Sequence, residues 1–185
     1  EATHGRSRAT REIAQKRLAK TNNSNELKVG LENFKVISDW QHFAILTLIK
    51  NKAGIKPPEM AKRLMLTQVE ITDCLERLQR VGLVKKSASG YTHGDELVVT
   101  SSETSSLAIQ KYHTQILAKA QKALETQSID RRDVSALNMM VAEEQLPEIK
   151  KRIKDFRRGL MSWVEQSTER DRLYNLSIQL FSLEK

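Results

Sequence analysis

Any chemistry in this chain would have to come from a few reactive side chains, and they are scattered. The four histidines, His4, His42, His93 and His113, fall in different segments, and Cys74 is the single cysteine. A catalytic centre needs a nucleophile, a base and an orienting group, or a set of metal ligands, that converge. The sequence has no Gly-rich phosphate loop, no His-Glu-x-x-His and no paired cysteines. His93-Gly94-Asp95-Glu96 contains three metal-ligating residue types, yet it falls where a hairpin is expected, and shaping that hairpin is the simpler role. Cys74 takes an inward helical position, where a thiol behaves as a small hydrophobe. Trp40, His42, Tyr112 and His113 could line a small effector pocket, and packing is the competing role. The chain is therefore read as non-enzymatic, with no cofactor, no metal and no identified effector.

A different chemistry is written in residues 57–86. A short helix opened by Pro57-Pro58 is expected first, then a tight turn and a longer helix starting after Thr67. Prolines at the first helical positions lose nothing, because those N–H groups have no intrahelical partner. Thr67 and Glu70 have the spacing of a capping box. Ile71, Cys74 or Leu75, Leu78 and Val81 recur at helical spacing and must face inward. Gly82 stops the helix, Leu83-Val84 starts a strand, Ser89-Gly90 turns it, and Leu97-Val98-Val99 is read as the returning strand. This is the outline of a winged helix-turn-helix, a unit that lays its second helix in the DNA major groove.

Its exposed side would present Gln68, Glu70, Thr72, Asp73, Glu76 and Arg77. Gln68 and Thr72 can touch base edges. Lys62, Arg63, Arg77, Arg80, Lys85 and Lys86 can contact phosphates, whose neutralisation supplies much of the affinity of such a complex. The three acids oppose it. A winged helix that contacts protein rather than DNA stays open as the alternative.

The remaining segments must position this unit. Residues 1–33 are rich in Arg, Lys, Asn, Ser and Thr and read as a basic arm or linker remnant. Residues 34–100 form the winged helix-turn-helix, with Asp39 expected to cap its first helix. Beyond a polar spacer, residues 101–185 are expected to form a small C-terminal α-β-α-β domain. Its helices cover about 107–124 and 146–163, and its strands 135–141 and 173–183. Leu146, Ile149, Ile153, Phe156, Leu160 and Trp163 repeat at 3-4-3-4-3 spacing and draw one apolar stripe. Six basic residues from Lys150 to Arg158 surround it, as a phosphate-binding surface or as the solvated face of an amphipathic helix. Two strands are too few for a sheet, so a second copy of the chain is expected to complete it, giving a symmetric homodimer. The whole is helix-rich α+β.

Composition sets the bounds. A chain of 185 residues can bury a core unaided. Its net charge of +8 is spread as +3, +3 and +2 over residues 1–33, 34–99 and 100–185, which raises the prospect of a polyanionic partner only modestly. No apolar run approaches a membrane span and no secretory signal opens the sequence, so the cytoplasm is expected, without membrane contact.

Between residues 40 and 181 the chain resembles an uncharacterised bacterial family of proposed transcriptional regulators, found as paralogue sets in predatory and fibre-degrading bacteria. The resemblance is carried in order by Trp40-Gln41-His42, Ala61-Lys62-Arg63-Leu64, Leu75-Glu76-Arg77-Leu78 with Gly82-Leu83, and Ser106-Leu107-Ala108-Ile109 with Tyr112-His113. Arg132-Asp133-Val134-Ser135, Phe156-Arg157 and 174–181 follow. It implies regulation of transcription rather than a known activity. In that family a phage-repressor-like helix-turn-helix usually precedes this region, and residues 1–33 contain no such motif. DNA binding would then be direct or through an attached module.

Overall fold

The structure, a computed structural model, describes residues 37–94 and 107–184. The expected arm at 1–33, the strand expected at 97–99, and Asp95 and Glu96 lie outside the described residues. The chain divides into two compact units, Glu1–Gln115 and Ile116–Lys185. The fold is helix-rich α+β, with one two-stranded antiparallel sheet among the described residues.

In the first unit, helix α1 (Trp40–Asn51) begins after Asp39, whose backbone is extended as an N-cap requires. Helix α2 (Pro57–Leu64) opens on its two prolines and ends at Met65, a left-handed residue with φ of 54°. Two residues later Thr67 starts helix α3 (Gln68–Arg80). Strands β1 (Val84–Ser87) and β2 (Gly90–His93) then make the wing, with Val84 opposite His93 and Ser87 opposite Gly90. Among the described residues the strand that returns against β1 is Gly90–His93, earlier in the chain than the expected 97–99, which lies outside them.

The choice of β2 has a tertiary cause. Ile55, in the connection between α1 and α2, forms an antiparallel bridge with Tyr91. Tyr91 N–H donates to the Ile55 carbonyl (3.3 Å), and Gly54 N–H donates to the Tyr91 carbonyl (2.9 Å). The hairpin is thereby laced to the chain ahead of the helix-turn-helix. Gly90 makes this approach possible: its φ is +145°, and a Cβ there would overlap the carbonyl group of Gly54.

Ile45, Ile49, Ile55, Met60, Ile71, Leu75, Leu78 and Leu83 are fully buried and knit the three helices to the wing. Burying each such side chain contributes about 1.5–3 kcal/mol before entropy is counted. Ile71, Cys74, Leu75 and Leu78 all face this core, as helical spacing requires. Order, turn and hairpin are those of a winged helix-turn-helix.

Helix α4 (Leu107–Thr126) crosses the division between the units. The second unit continues through a 3-10 turn (Ile129–Arg131), a second one (Glu143–Gln145) and helix α5 (Leu146–Glu165). In the second turn the Gln145 side chain accepts the Ala142 N–H at 3.0 Å, and Glu143 and Glu144 lie just ahead of α5, where its dipole favours negative charge. Both helices match expectation; the two strands do not. Residues 132–142 and 169–182 run without helix, turn or bend, so they are drawn out, but neither has a ladder. Side-chain alternation persuades a segment to extend, whereas a strand also needs a neighbour for its backbone. Among the described residues no such neighbour is present within the copy.

Candidate nucleic-acid interface

The presented surface is α3, and its local chemistry begins at Thr67. The Thr67 hydroxyl accepts the Glu70 N–H at 3.2 Å, while the Glu70 carboxylate accepts both the backbone N–H and the hydroxyl of Thr67 at 2.8 Å. These bonds, the backbone one foremost, hold the Glu70 carboxyl below its usual pKa. Glu70 is thus turned back on its own helix end, and one of the three opposing acids is committed to capping. Thr72 donates its hydroxyl to the Gln68 carbonyl at 2.9 Å. Gln68, Val69, Thr72, Asp73, Glu76 and Arg77 are all exposed, with Val69 at 68%.

The basic residues are exposed on three elements: Lys62 and Arg63 in the last turn of α2, Arg77 and Arg80 in the last turn of α3, and Lys85 and Lys86 on β1. An open depression of about 330 Å³ separates the start of α2 from the wing, lined by Lys56, Pro57, Lys86, Ser87, Ser89 and Tyr91. It adds Lys56, which sequence reasoning had missed, to the basic set. The residues expected to act together do share one unit, distributed over α2, α3 and the wing.

Arg77 differs from the others. Its guanidinium lies 3.7 Å from Asp39, whose carboxylate is the hub of a second cluster. From α4, Lys111 reaches Asp39 Oδ1 at 2.6 Å and Gln115 Nε2 donates to it at 2.8 Å. Gln115 Oε1 in turn accepts the Trp40 N–H at 2.9 Å. The expected cap is therefore reassigned: Asp39 sits at the N-cap position but its side chain makes no cap bond, and Gln115 takes a first-turn N–H instead. Burial works to raise the Asp39 pKa, but the bonds from Lys111 and Gln115 outweigh it and leave the carboxyl below its ordinary value.

His42 is fully buried and touches the Asp39 carbonyl through Nδ1 at 3.2 Å. Its Nε2 has no protein partner. Burial pushes the His42 pKa down, against the raising influence of Asp39. Tyr112 packs against Phe43 with ring centres 4.7 Å apart and planes inclined at 60°, and His113 lies edge-on to Tyr112 at 5.4 Å. These aromatic and imidazole rings serve as packing between α1 and the start of α4. Burial pushes the Cys74 thiol up to about 11, so it stays protonated at neutral pH. Among the described residues no group of three His, Cys, Asp or Glu is placed to hold a metal ion, and no helix is long and apolar enough to cross a membrane.

A family model described as a domain of unknown function, DUF4423, matches residues 18–183. The chain belongs to that family. The match takes in both units and starts ahead of α1. No curated relative matches the chain. The DUF4423 description names no activity, so function must be argued from the surfaces themselves.

Proposed function

We propose that this DUF4423 protein is a non-catalytic, cytoplasmic regulator of transcription that binds duplex DNA through its winged helix-turn-helix and acts as a pair of copies. The observation that carries the reading is α3 itself. Its inner side is locked in the core while its outer side, from Gln68 to Arg77, is exposed. Recognition helices contact base edges with their N-terminal residues. Here those are Gln68, Val69 and Thr72, with an amide for adenine and a methyl-bearing side chain for thymine. Lys62 and Arg63, together with Lys56, Lys85 and Lys86 around the wing, supply phosphate contacts that fix register without reading sequence. The capping box turns the Glu70 carboxylate back onto the helix end, where it keeps its charge and still opposes a polyanion.

The test is a titration of a labelled duplex at two or more salt concentrations, with the chain and with Lys85→Ala/Lys86→Ala. The double variant should bind all sequences more weakly, and the slope of log K against log salt should shrink by about 1–2. An unchanged slope removes the wing from the interface.

A second reading is favoured by exposed apolar groups at the turn and at the start of α3. Met65 is 92% and Val69 68% exposed, and Asp73 and Glu76 remain uncommitted to any cap. On that reading the winged helix contacts a protein and the chain receives or relays a signal. Absence of binding to any duplex at low salt would select it.

A further inference from the structure

The second unit contains almost no core. Between residues 117 and 184 no side chain is buried, and Ile116 alone closes the unit at its start. Its composition does not explain this. Nineteen large apolar residues of the unit stand exposed, including Phe156 at 58%, Trp163 at 68% and Phe181 at 71%. At roughly 80 Å² apiece, about half of a small aromatic side chain, they expose on the order of 1,500 Å². Two such surfaces together fall within the roughly 2,000–5,000 Å² of an obligate homodimer.

Backbone groups point the same way. Residues 133–141 and 173–181 make no hydrogen bond among the described residues, though both are drawn out and the second carries the strand-forming Tyr174, Ile178 and Phe181. Leu176, Ile178 and Leu180 alternate along the second segment and are all partly or largely exposed. An uncapped, apolar, extended segment is a template for pairing with another chain.

Helix α5 offers the matching layer. Leu146, Ile149, Ile153 and Leu160 are half-buried, while Phe156 and Trp163 stand out from the same stripe. Two of its six basic residues pair within the helix, Lys151 with Asp155 and Arg152 with Glu148, each at 3.0 Å.

We infer that residues 133–141 and 173–181 are strands whose ladder partners belong to a second copy of this chain, and that the α5 stripes of the two copies cover the resulting sheet. A second copy fits because, among the described residues of the second unit, the two segments have no ladder neighbour and the helix stripe has no covering layer, and an identical unit supplies both. A two-fold axis satisfies the deficits at once and closes the assembly. The inference deepens the pairing in the proposed function and rests on it for the number of copies.

The test uses the full chain without DNA, so that failure to pair and failure to bind duplex give different results. Light scattering should give twice the chain mass of 21.2 kDa at tens of micromolar. Hydrogen exchange should show slow amides in 133–141 and 173–181, with protection that falls on dilution. Phe156→Asp, at a position 58% exposed in one copy, should return the mass to one chain and speed these amides at least tenfold. Amides of α1 and α3 should keep their protection, which separates lost pairing from failure to fold. A mass of one chain overturns the inference, whatever other protein or surface the stripe then captures. A pair whose 133–141 and 173–181 amides exchange freely overturns the strand assignment.

Discussion

Asp39 and His42 stand where α1, α3 and α4 meet, and their charges are set by that meeting. Asp39 draws Lys111 and Gln115 from α4 and faces Arg77 on α3. His42, fully buried beneath it, is held neutral because ionising an imidazole away from water is costly. A histidine whose folded pKa lies below its unfolded value binds fewer protons folded than unfolded, so stability falls as pH drops below about 6.5. The slope reaches up to about 1.4 kcal/mol per pH unit until the folded pKa is passed. Asp39 is also depressed, but its contribution is present above the ordinary carboxylate range and is lost only at more acid pH, so the two windows are distinct. Urea midpoints at pH 7.5 and 5.5 should therefore differ for the native chain, and the difference should vanish in His42→Leu. A variant that keeps the full pH dependence would place the titration elsewhere. The sequence suggests that Trp40 and His42 meet Tyr112 and His113, but not the polar links that centre on Asp39. Asp39 and Gln115 are 76 positions apart, and an aspartate ahead of a helix reads as its cap whether or not its side chain is needed elsewhere.

At the scale of elements, what could be read was what is local. Pro57-Pro58, the Thr67–Glu70 box and the inward spacing of Ile71, Leu75 and Leu78 each need only neighbours in sequence, and each is found in place. The wing was half legible. The strand paired with β1 is Gly90–His93, which comes before the expected Leu97-Val98-Val99, because Ile55 pairs with Tyr91 and only a glycine at 90 lets Gly54 come so close. Gly90→Ala should accordingly lower stability by on the order of 2–3 kcal/mol, from backbone strain alone. Its urea midpoint should fall and its affinity for duplex should drop with it, since Lys85 and Lys86 are carried by the same hairpin. A neutral substitution would mean that the wing is not anchored through residue 54. In the second unit the helices are found where expected, while the two segments read as strands are drawn out without a ladder among the described residues. Alternation at 173–183 is a property of one segment, whereas a ladder is a property of two.

At the scale of the whole molecule, the helix-turn-helix and the unsatisfied second unit bear on a single claim, that paired copies read DNA. A paired reader carries two recognition helices, and its targets repeat with the symmetry of the protein. Half-sites are then expected one helical turn apart, about 34–36 Å or 10–10.5 base pairs between centres, or a multiple of that. Neither the bases preferred nor the regulated genes need be known in advance. Selection of bound duplexes from a random pool, at a salt concentration that suppresses non-specific binding, measures this directly. The account predicts enrichment of an inverted repeat with that spacing, lost in Phe156→Asp and weakened in Lys85→Ala/Lys86→Ala. A pool that shows no enrichment, or that yields a single unrepeated site untouched by Phe156→Asp, would contradict it.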